Sequence, residues 1–164
     1  MKTGPLILPP DCHPVQVFLS AELQVGNVLE RLLEFAGSAR LTVSTFSTGE
    51  EFLRQLVRLR VAGSVKSAVL YLDHKAAVKT ARILPLVRSA FDHIRFCPNH
   101  SKIMVMAGEN CTVSVLTSQN QTRGNRMESY VIIHGEEMAA TLTAALNGMQ
   151  HFELYDTRLP ESYP

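Results

Sequence analysis

The chain has 164 residues, of which 46% are hydrophobic and 19% are charged, and its formal net charge is +1. This composition excludes an intrinsically disordered chain, and the sequence has no apolar run as long as a membrane span. We therefore expect one domain over residues 1–164, with residues 1–14 as a proline-rich N-terminal extension.

Cysteine usage and the N-terminal segment indicate the compartment. The cysteines, Cys12, Cys97 and Cys111, are odd in number and show no spacing pattern, which argues against a disulfide framework. The apolar patch near the N-terminus is short and interrupted by prolines, unlike a signal peptide. We expect a cytoplasmic protein.

The first strand and helix follow from hydrophobic periodicity. Residues 15–20 alternate between apolar and polar side chains, which predicts a strand. Apolar residues at helical spacing predict a helix over 21–37, with Ser20 as its N-cap and Gly37 as its end.

The same rhythm continues through the first half of the chain. A second strand is predicted at 40–47 and a second helix at 48–63, opened by a capping box of Thr48 and Glu51. The apolar run at 67–73 is typical of a strand that is covered on both faces.

Residues 74–90 have a helical pattern, which Pro85 should kink or divide. The pattern places three basic residues on one face of this helix: Lys75, Lys79 and Arg82.

The second half contains closely spaced strands before a final helix over 136–150. The strand candidates are "HIRFCP", "SKIMVMA", "CTVSVLTS" and "SYVIIHG". Together with the early alternation of strands and helices, they predict an α/β fold with a mixed β-sheet sandwiched between helices.

The stretch "PNHSKIMVM" places His100 and Lys102 two residues apart where an apolar run begins. On a strand, alternation would put both side chains on one face. Two groups that can both be cationic are rarely neighbours unless an anion lies between them. Seven basic and two acidic residues between Lys66 and Lys102 add a local positive field that suits an anionic substrate.

Further polar residues follow the next two strands. The second strand of this region ends in Thr117-Ser118-Gln119-Asn120, and Glu128 opens the third. This pattern resembles the phospholipase D superfamily, whose signature is H-x-K-x4-D, then G-S-x-N, then a glutamate before a strand. The chain departs from that signature at Ala107, which replaces the aspartate, and at Thr117, which replaces the glycine. The stretch between them is also a few residues longer than the family pattern.

The resemblance implies a phosphodiesterase that needs no cofactor and no metal. His100 would attack phosphorus as a neutral imidazole and form a phosphohistidine. Lys102 and Asn120 would neutralise the phosphoryl oxygens, and Ser118 would donate a further hydrogen bond. Glu128 would orient His100 by accepting its other N–H.

The chain has one such motif, as do the small homodimeric nucleases of the family. The resemblance therefore implies an endonuclease in which two copies share one active site and nucleic acid, such as DNA, is the substrate, without stable membrane association. The predicted substrate-binding residues are Arg123, Arg126, Lys75, Lys79 and Arg82.

Two other functions remain open. One is a catalytically impaired binding or scaffold module, which the changes at Ala107 and Thr117 favour. The other is a hydrolase of phospholipids or other small phosphodiesters.

Several residues outside the motif have two interpretations each. His93, Cys97 and His100 have a spacing that resembles a metal site, but Cys97 as a small buried hydrophobe is the simpler interpretation. Asp73 is interpreted as a helix cap. Two further histidines, His134 and His151, are expected at the surface.

Overall fold

The computed structural model describes residues 5–153, and the structural statements below concern these residues. The elements in chain order are β1 (Val15–Ser20), α1 (Val25–Ala36), β2 (Ala39–Thr45), α2 (Glu50–Val61), β3 (Val65–Asp73), a 3₁₀ turn (His74–Ala76), α3 (Ala77–Ala81), α4 (Leu84–Ala90), β4 (His93–Cys97), β5 (Ile103–Gly108), β6 (Thr112–Thr117), β7 (Glu128–His134), α5 (Glu136–Asn147) and β8 (Phe152–Glu153).

The eight strands form one mixed sheet in the order β1-β7-β6-β5-β2-β3-β4-β8. Strands β2, β3 and β4 are parallel to one another, and the remaining neighbours pair antiparallel. The carboxyl ends of β2, β3 and β6 therefore lie at the same edge of the sheet as the starts of β5 and β7. Polar residues from separate parts of the chain meet at this edge.

Helices cover both faces of the sheet, which confirms the predicted α/β sandwich. The main core lies under α1, α2 and α4, where Leu29, Leu32 and Leu53 are fully buried. A smaller cluster of Tyr71, Cys97 and Leu146 packs under α5 on the other face. Truncating one of the fully buried leucines to alanine should cost about 2–5 kcal/mol of stability.

Helix α1 begins at Val25, later than the pattern predicts. The Ser20 hydroxyl accepts hydrogen bonds from the backbone N–H groups of Glu22 and Leu23, so Ser20 closes a turn and does not cap the helix. The predicted end is confirmed. Gly37 has φ 73°, a conformation that glycine adopts without steric cost, and its N–H bonds to Leu33 O.

The predicted capping box at the start of α2 is wrong. Gly49 is the N-cap residue and makes no side-chain cap. Thr48 instead forms an isolated β-bridge with Gln121, which ties it to a distant segment. Glu51 pairs with Arg123, 3.2 Å away, so neither side chain of the predicted box serves the helix end.

The predicted helix over 74–90 is divided into the 3₁₀ turn, α3 and α4. Pro85 lies in the first turn of α4, where its missing N–H costs no hydrogen bond. The division also corrects the predicted basic helix face. Lys75 lies in the 3₁₀ turn, Lys79 in α3 and Arg82 just beyond α3, so they do not share one face of a continuous helix.

Part of the predicted N-terminal extension packs on the domain. Ile7 is buried in the main core, and the Gln16 side chain bonds to both backbone groups of Leu8. Residues 1–4 lie outside the described part of the chain, as do residues 154–164. None of the helices within residues 5–153 is long and apolar enough to cross a membrane.

Candidate active site

His100 and Lys102 lie in the loop between β4 and β5, so the prediction that they occupy a strand is wrong. The loop nevertheless brings their side chains together. Lys102 Nζ is 3.0 Å from His100 Nδ1 and donates to His100 O at 2.7 Å. The exposed imidazole also lies beside Phe46, with the ring centroids 5.1 Å apart. The pairing arises from a tight loop and not from strand alternation.

A charged Lys102 at this distance would favour one tautomer of a neutral His100. A lysine ammonium only donates, so Nδ1 would accept and the neutral ring would carry its proton on Nε2. A histidine that protonates a leaving oxygen must instead be an imidazolium, with protons on both ring nitrogens. Nucleophilic attack through Nε2 requires the other tautomer.

Asn99 holds the loop in place from inside the protein. Its backbone N–H donates to Asp73 Oδ2 at 2.8 Å, and its Nδ2 donates to Ser44 Oγ at 2.7 Å and Tyr71 O at 3.2 Å. Its Oδ1 accepts from the N–H and the hydroxyl of Ser101 at 2.9 and 2.6 Å. The loop is therefore anchored to the carboxyl ends of β2 and β3 immediately next to His100.

Ser118, Asn120 and Glu128 lie at the same edge, after β6 and at the start of β7. Glu128 accepts a hydrogen bond from the Ser118 hydroxyl in this single chain. The contact through which Glu128 would orient His100 stays a prediction. Asn120 Oδ1 lies 3.4 Å from the Thr45 hydroxyl. Within the described residues, Asn120 Nδ2 has no partner and is free to donate to a ligand.

The charge of Lys102 is subject to two opposing influences. Burial lowers the pKa of Lys102, and the negative charge of Glu128 partly offsets this effect. A bound anion beside the ammonium would raise the pKa again. The site therefore favours an anionic ligand at Lys102.

Sequence reasoning missed Gln119, which ties the motif loop to α1. Its Oε1 accepts from Val25 N at 2.9 Å, and its Nε2 donates to Gln24 Oε1 at 2.9 Å. The Tyr130 hydroxyl also lies 2.6 Å from Gln119 Oε1. These contacts satisfy the first N–H of α1 and fix the position of the neighbouring Asn120. The run of amides at 119–121 was the only local signal of this role. Phe46 and Asn99 were likewise not predicted.

The predicted substrate-binding residues are exposed and do not contact His100 or Lys102 in the described residues. Arg123 pairs with Glu51, and Arg126 lies in the same loop. Of these residues, Lys75 lies next to the His100 loop, to which Asp73 connects it. Asp73 accepts from Lys75 N at 2.8 Å through one oxygen and from Asn99 N through the other, which confirms Asp73 as a cap.

The alternative metal site is not formed. Within the described residues, no group of three or more His, Cys, Asp or Glu side chains is arranged to hold a metal ion. His93 lies 3.6 Å from Glu153. Cys97 is fully buried, and burial raises the pKa of its thiol to about 11, as expected for a small hydrophobic residue. His134 and His151 are half-buried and not fully at the surface.

Comparison with known proteins identifies the fold. No family model and no curated protein matches the sequence. NucT from Helicobacter pylori is similar in structure, with 13% identity, a TM-score of 0.60, and 82% of this chain and 94% of that chain covered. Phosphatidylserine synthase from Haemophilus influenzae has 12% identity, a TM-score of 0.62, and 90% and 41% coverage. Polyphosphate kinase from Porphyromonas gingivalis has 14% identity, a TM-score of 0.56, and 80% and 22% coverage.

This chain therefore spans less than half of the synthase and about a fifth of the kinase, but nearly all of NucT. All three proteins are members of the phospholipase D superfamily. The architecture described above is the phospholipase D-like fold. At these identities the likeness concerns the fold alone.

Proposed function

We propose that this chain is a metal-independent phosphodiesterase that cleaves nucleic acid. The observation that carries the proposal is the contact between His100 and Lys102 at the sheet edge where Ser118, Asn120 and Glu128 also lie. Imidazole is a nucleophile and a good leaving group, and the ammonium and the free amide of Asn120 are donors suited to phosphoryl oxygens.

In the proposed reaction, Nε2 of one His100 attacks phosphorus while the bond to the leaving oxygen breaks, and a phosphohistidine forms. A second histidine, present as an imidazolium, donates its Nε2 proton to the leaving oxygen and becomes neutral. Water then attacks phosphorus, gives its proton to the second histidine and releases His100. The nucleophile must therefore be a neutral imidazole with an unprotonated Nε2, and the acid must start as an imidazolium with protons on both nitrogens.

A second copy of the chain would supply the second histidine. Val15, Val17 and Leu19 of β1 are 61–73% exposed and form an apolar stripe on the edge strand. The stripe ends at Ser20, which pairs with Glu128 at the site, and the exposed Met127 lies beside it. An apolar surface that reaches the active-site edge suits a twofold interface that brings two sites together.

The two departures from the family signature leave the reacting groups in place. Ala107 pairs with Arg40 and Thr112, far along β5 and about 16 Å from Lys102 at the usual rise of a strand. Thr117 supports the loop, because its hydroxyl donates to Ser129 O at 2.8 Å and accepts from Gln119 N at 3.0 Å. These observations favour an active enzyme over a scaffold module.

Nucleic acid is the favoured substrate for two reasons. The exposed Lys75 lies next to the His100 loop, because Asp73 bonds both Lys75 N and Asn99 N, and the likeness to NucT extends over 82% of this chain and 94% of NucT. Phospholipids or other small phosphodiesters are the second candidate, which the structural likeness to a phosphatidylserine synthase favours.

The test is incubation of the purified protein with plasmid and single-stranded DNA in excess EDTA. We expect cleavage, and we expect His100→Ala to lower the rate by about 10³-fold or more because it removes both the nucleophile and the acid. His134→Ala is the matched control, since this half-buried histidine lies at the end of β7 remote from the site. Cleavage by His100→Ala at the wild-type rate would refute the mechanism.

A further inference from the structure

An open cleft of about 320 Å³ adjoins the candidate active site. It lies between the start of α1, the start of α2 and the loop after β6, and it shares Asn120 with the site. This volume includes the open solvent at its mouth, so the cleft is a shallow surface groove and not an enclosed cavity. Six of its lining side chains are carboxamides: Gln24, Asn27, Gln55, Gln119, Asn120 and Gln121.

The charge of the cleft argues against a second phosphate site. The charged residues that line it are Glu51 and Arg123, and these pair with each other at 3.2 Å. The two charged side chains of the cleft therefore balance each other. The cleft suits a neutral ligand rich in hydrogen-bonding groups.

Three of the six carboxamides are already engaged. Gln24 and Gln119 bond to each other, and Gln24 also bonds both backbone groups of Gly124. Gln55 donates to Gly26 O at 3.1 Å. These contacts make a rigid frame for the remaining amides.

The other three carboxamides retain free groups within the described residues. Asn27 has no side-chain partner, and Asn120 retains its Nδ2. Gln121 is 4% exposed and its Oε1 is buried without a partner. A buried carbonyl without a donor is unfavourable, and a ligand that donates to it would relieve that cost.

We propose that the cleft binds the nucleobase of the nucleotide next to the scissile phosphate. A carboxamide presents a donor and an acceptor side by side, which matches the edge of a base. Asn120 would then connect the two parts of the substrate, because it lines the cleft and also belongs to the proposed phosphate site. The inference rests on the proposed nuclease function and narrows its substrate to strands with accessible bases.

The test uses the full-length His100→Ala variant, which should bind without cleaving. Side-chain amide resonances are followed by NMR during titration with adenosine, guanosine, cytidine and uridine, with ribose as the comparison. We expect the nucleosides to shift the resonances of Asn27, Asn120 and Gln121, and ribose to leave them unchanged.

A second measurement compares a single-stranded oligonucleotide with the same backbone carrying abasic sites. Asn27→Ala and Gln121→Ala, each combined with His100→Ala, should weaken binding of the intact strand by about ten-fold and leave the abasic strand unaffected. Asn27 is exposed, so its variant keeps the test valid if Gln121→Ala folds poorly. Asn110→Ala, in the remote turn between β5 and β6, is the matched control.

The outcomes separate this inference from the proposed function. If the wild type cleaves DNA but the intact and abasic strands bind equally and nucleosides shift nothing, the base site is refuted and the nuclease stands. If nucleosides shift the cleft amides but no nucleic acid is cleaved, the base site stands and the nuclease is refuted.

Discussion

At the scale of single residues, the chemistry of the site depends on a few side chains whose neighbours alter their properties. Lys102 is the clearest case. Partial burial weakens its hold on the proton, while the carboxylate of Glu128 strengthens it. The Lys102 ammonium also donates to the backbone oxygen of His100 and lies 3.0 Å from its Nδ1. Deprotonation of Lys102 would therefore change the hydrogen bonds of His100.

The lowered pKa of Lys102 predicts an alkaline decline in activity. Lys102 loses its proton at a lower pH than the ordinary lysine value of 10.5. As pH rises, kcat/KM should therefore begin to decline before the pH reaches that value. Lys102→Arg keeps its charge at all accessible pH values and should remove the decline, although its geometry lowers the rate. Lys102→Ala should lower the rate by about 10²–10³-fold.

The measurement is kcat/KM between neutral pH and the onset of alkaline unfolding, which circular dichroism locates for each variant. An identical decline in the wild type and in Lys102→Arg would assign it to another group.

At the scale of elements, short polar segments position the site by joining strands that are distant in sequence. Asn99 links the His100 loop to β2 and β3, and Gln119 links the end of β6 to the start of α1. On the other side of the molecule, Asp92 joins α2 to β3.

Asn99→Ala should lower the free energy of unfolding by about 2–3 kcal/mol, because it leaves several buried partners unsatisfied. It should also lower activity, because the loop that carries His100 loses its anchor. Urea denaturation and the cleavage assay measure the two effects. Asn110→Ala, which loses one exposed bond to Phe35 O, should change neither by much. Equal effects of the two substitutions would contradict the anchoring role.

Asp92 should make stability depend on pH. The Arg60 guanidinium, bonded to both carboxylate oxygens, and the Ala68 N–H lower the pKa of Asp92 below its ordinary value of 3.8. The folded state therefore binds the proton less tightly than the unfolded state. The stabilisation is complete above the ordinary value and is lost as pH falls through the lowered one.

Asp92→Asn should therefore lower the unfolding free energy by about 1 kcal/mol at neutral pH, a modest value because the pair is partly exposed to solvent. The difference from wild type should shrink in acid, which urea denaturation at neutral and acidic pH measures. A difference that is constant with pH would exclude the ion pair as its cause.

At the scale of the whole molecule, one chain carries a single His100 motif, and the proposed reaction needs two histidines on opposite sides of phosphorus. A twofold dimer meets this need from one sequence. The apolar stripe of Val15, Val17 and Leu19 on the edge strand is the surface we expect it to use.

Light scattering at micromolar concentration should report twice the 18.2 kDa chain mass. Leu19→Asp should yield monomers with strongly reduced activity, because a charge in an apolar interface is desolvated without a partner. Val61→Asp changes a valine at the end of α2 that is 86% exposed, against 73% for Leu19, and this variant should remain dimeric.

Mixing His100→Ala with Lys102→Ala chains should not restore activity, because no mixed dimer has two intact histidines. A fully active monomer would place the second acid within this chain.

Local patterns in the sequence determined much of the architecture. Apolar periodicities of two and of 3.6 residues identified the strands, the helices and the α/β class, and Gly37 and Pro85 marked an end and a break that the structure has. The pattern of His100, Lys102 and Asn120 predicted a candidate site, which stays a prediction. The strands, the helices and their ends were the part that short-range patterns identified. They depend on residues that are close together in the chain, so they can be predicted from the sequence.

The tertiary structure alone decided which groups touch. Val25 N bonds to Gln119, 94 residues away, so α1 needed no local cap and began later than Ser20 predicts. In the same way, Thr48 pairs with Gln121 and does not cap α2. Glu128 accepts from Ser118 on the neighbouring strand end. Polar groups bond to whichever partner the packed sheet brings closest, and that partner is set by strand order and not by spacing along the chain.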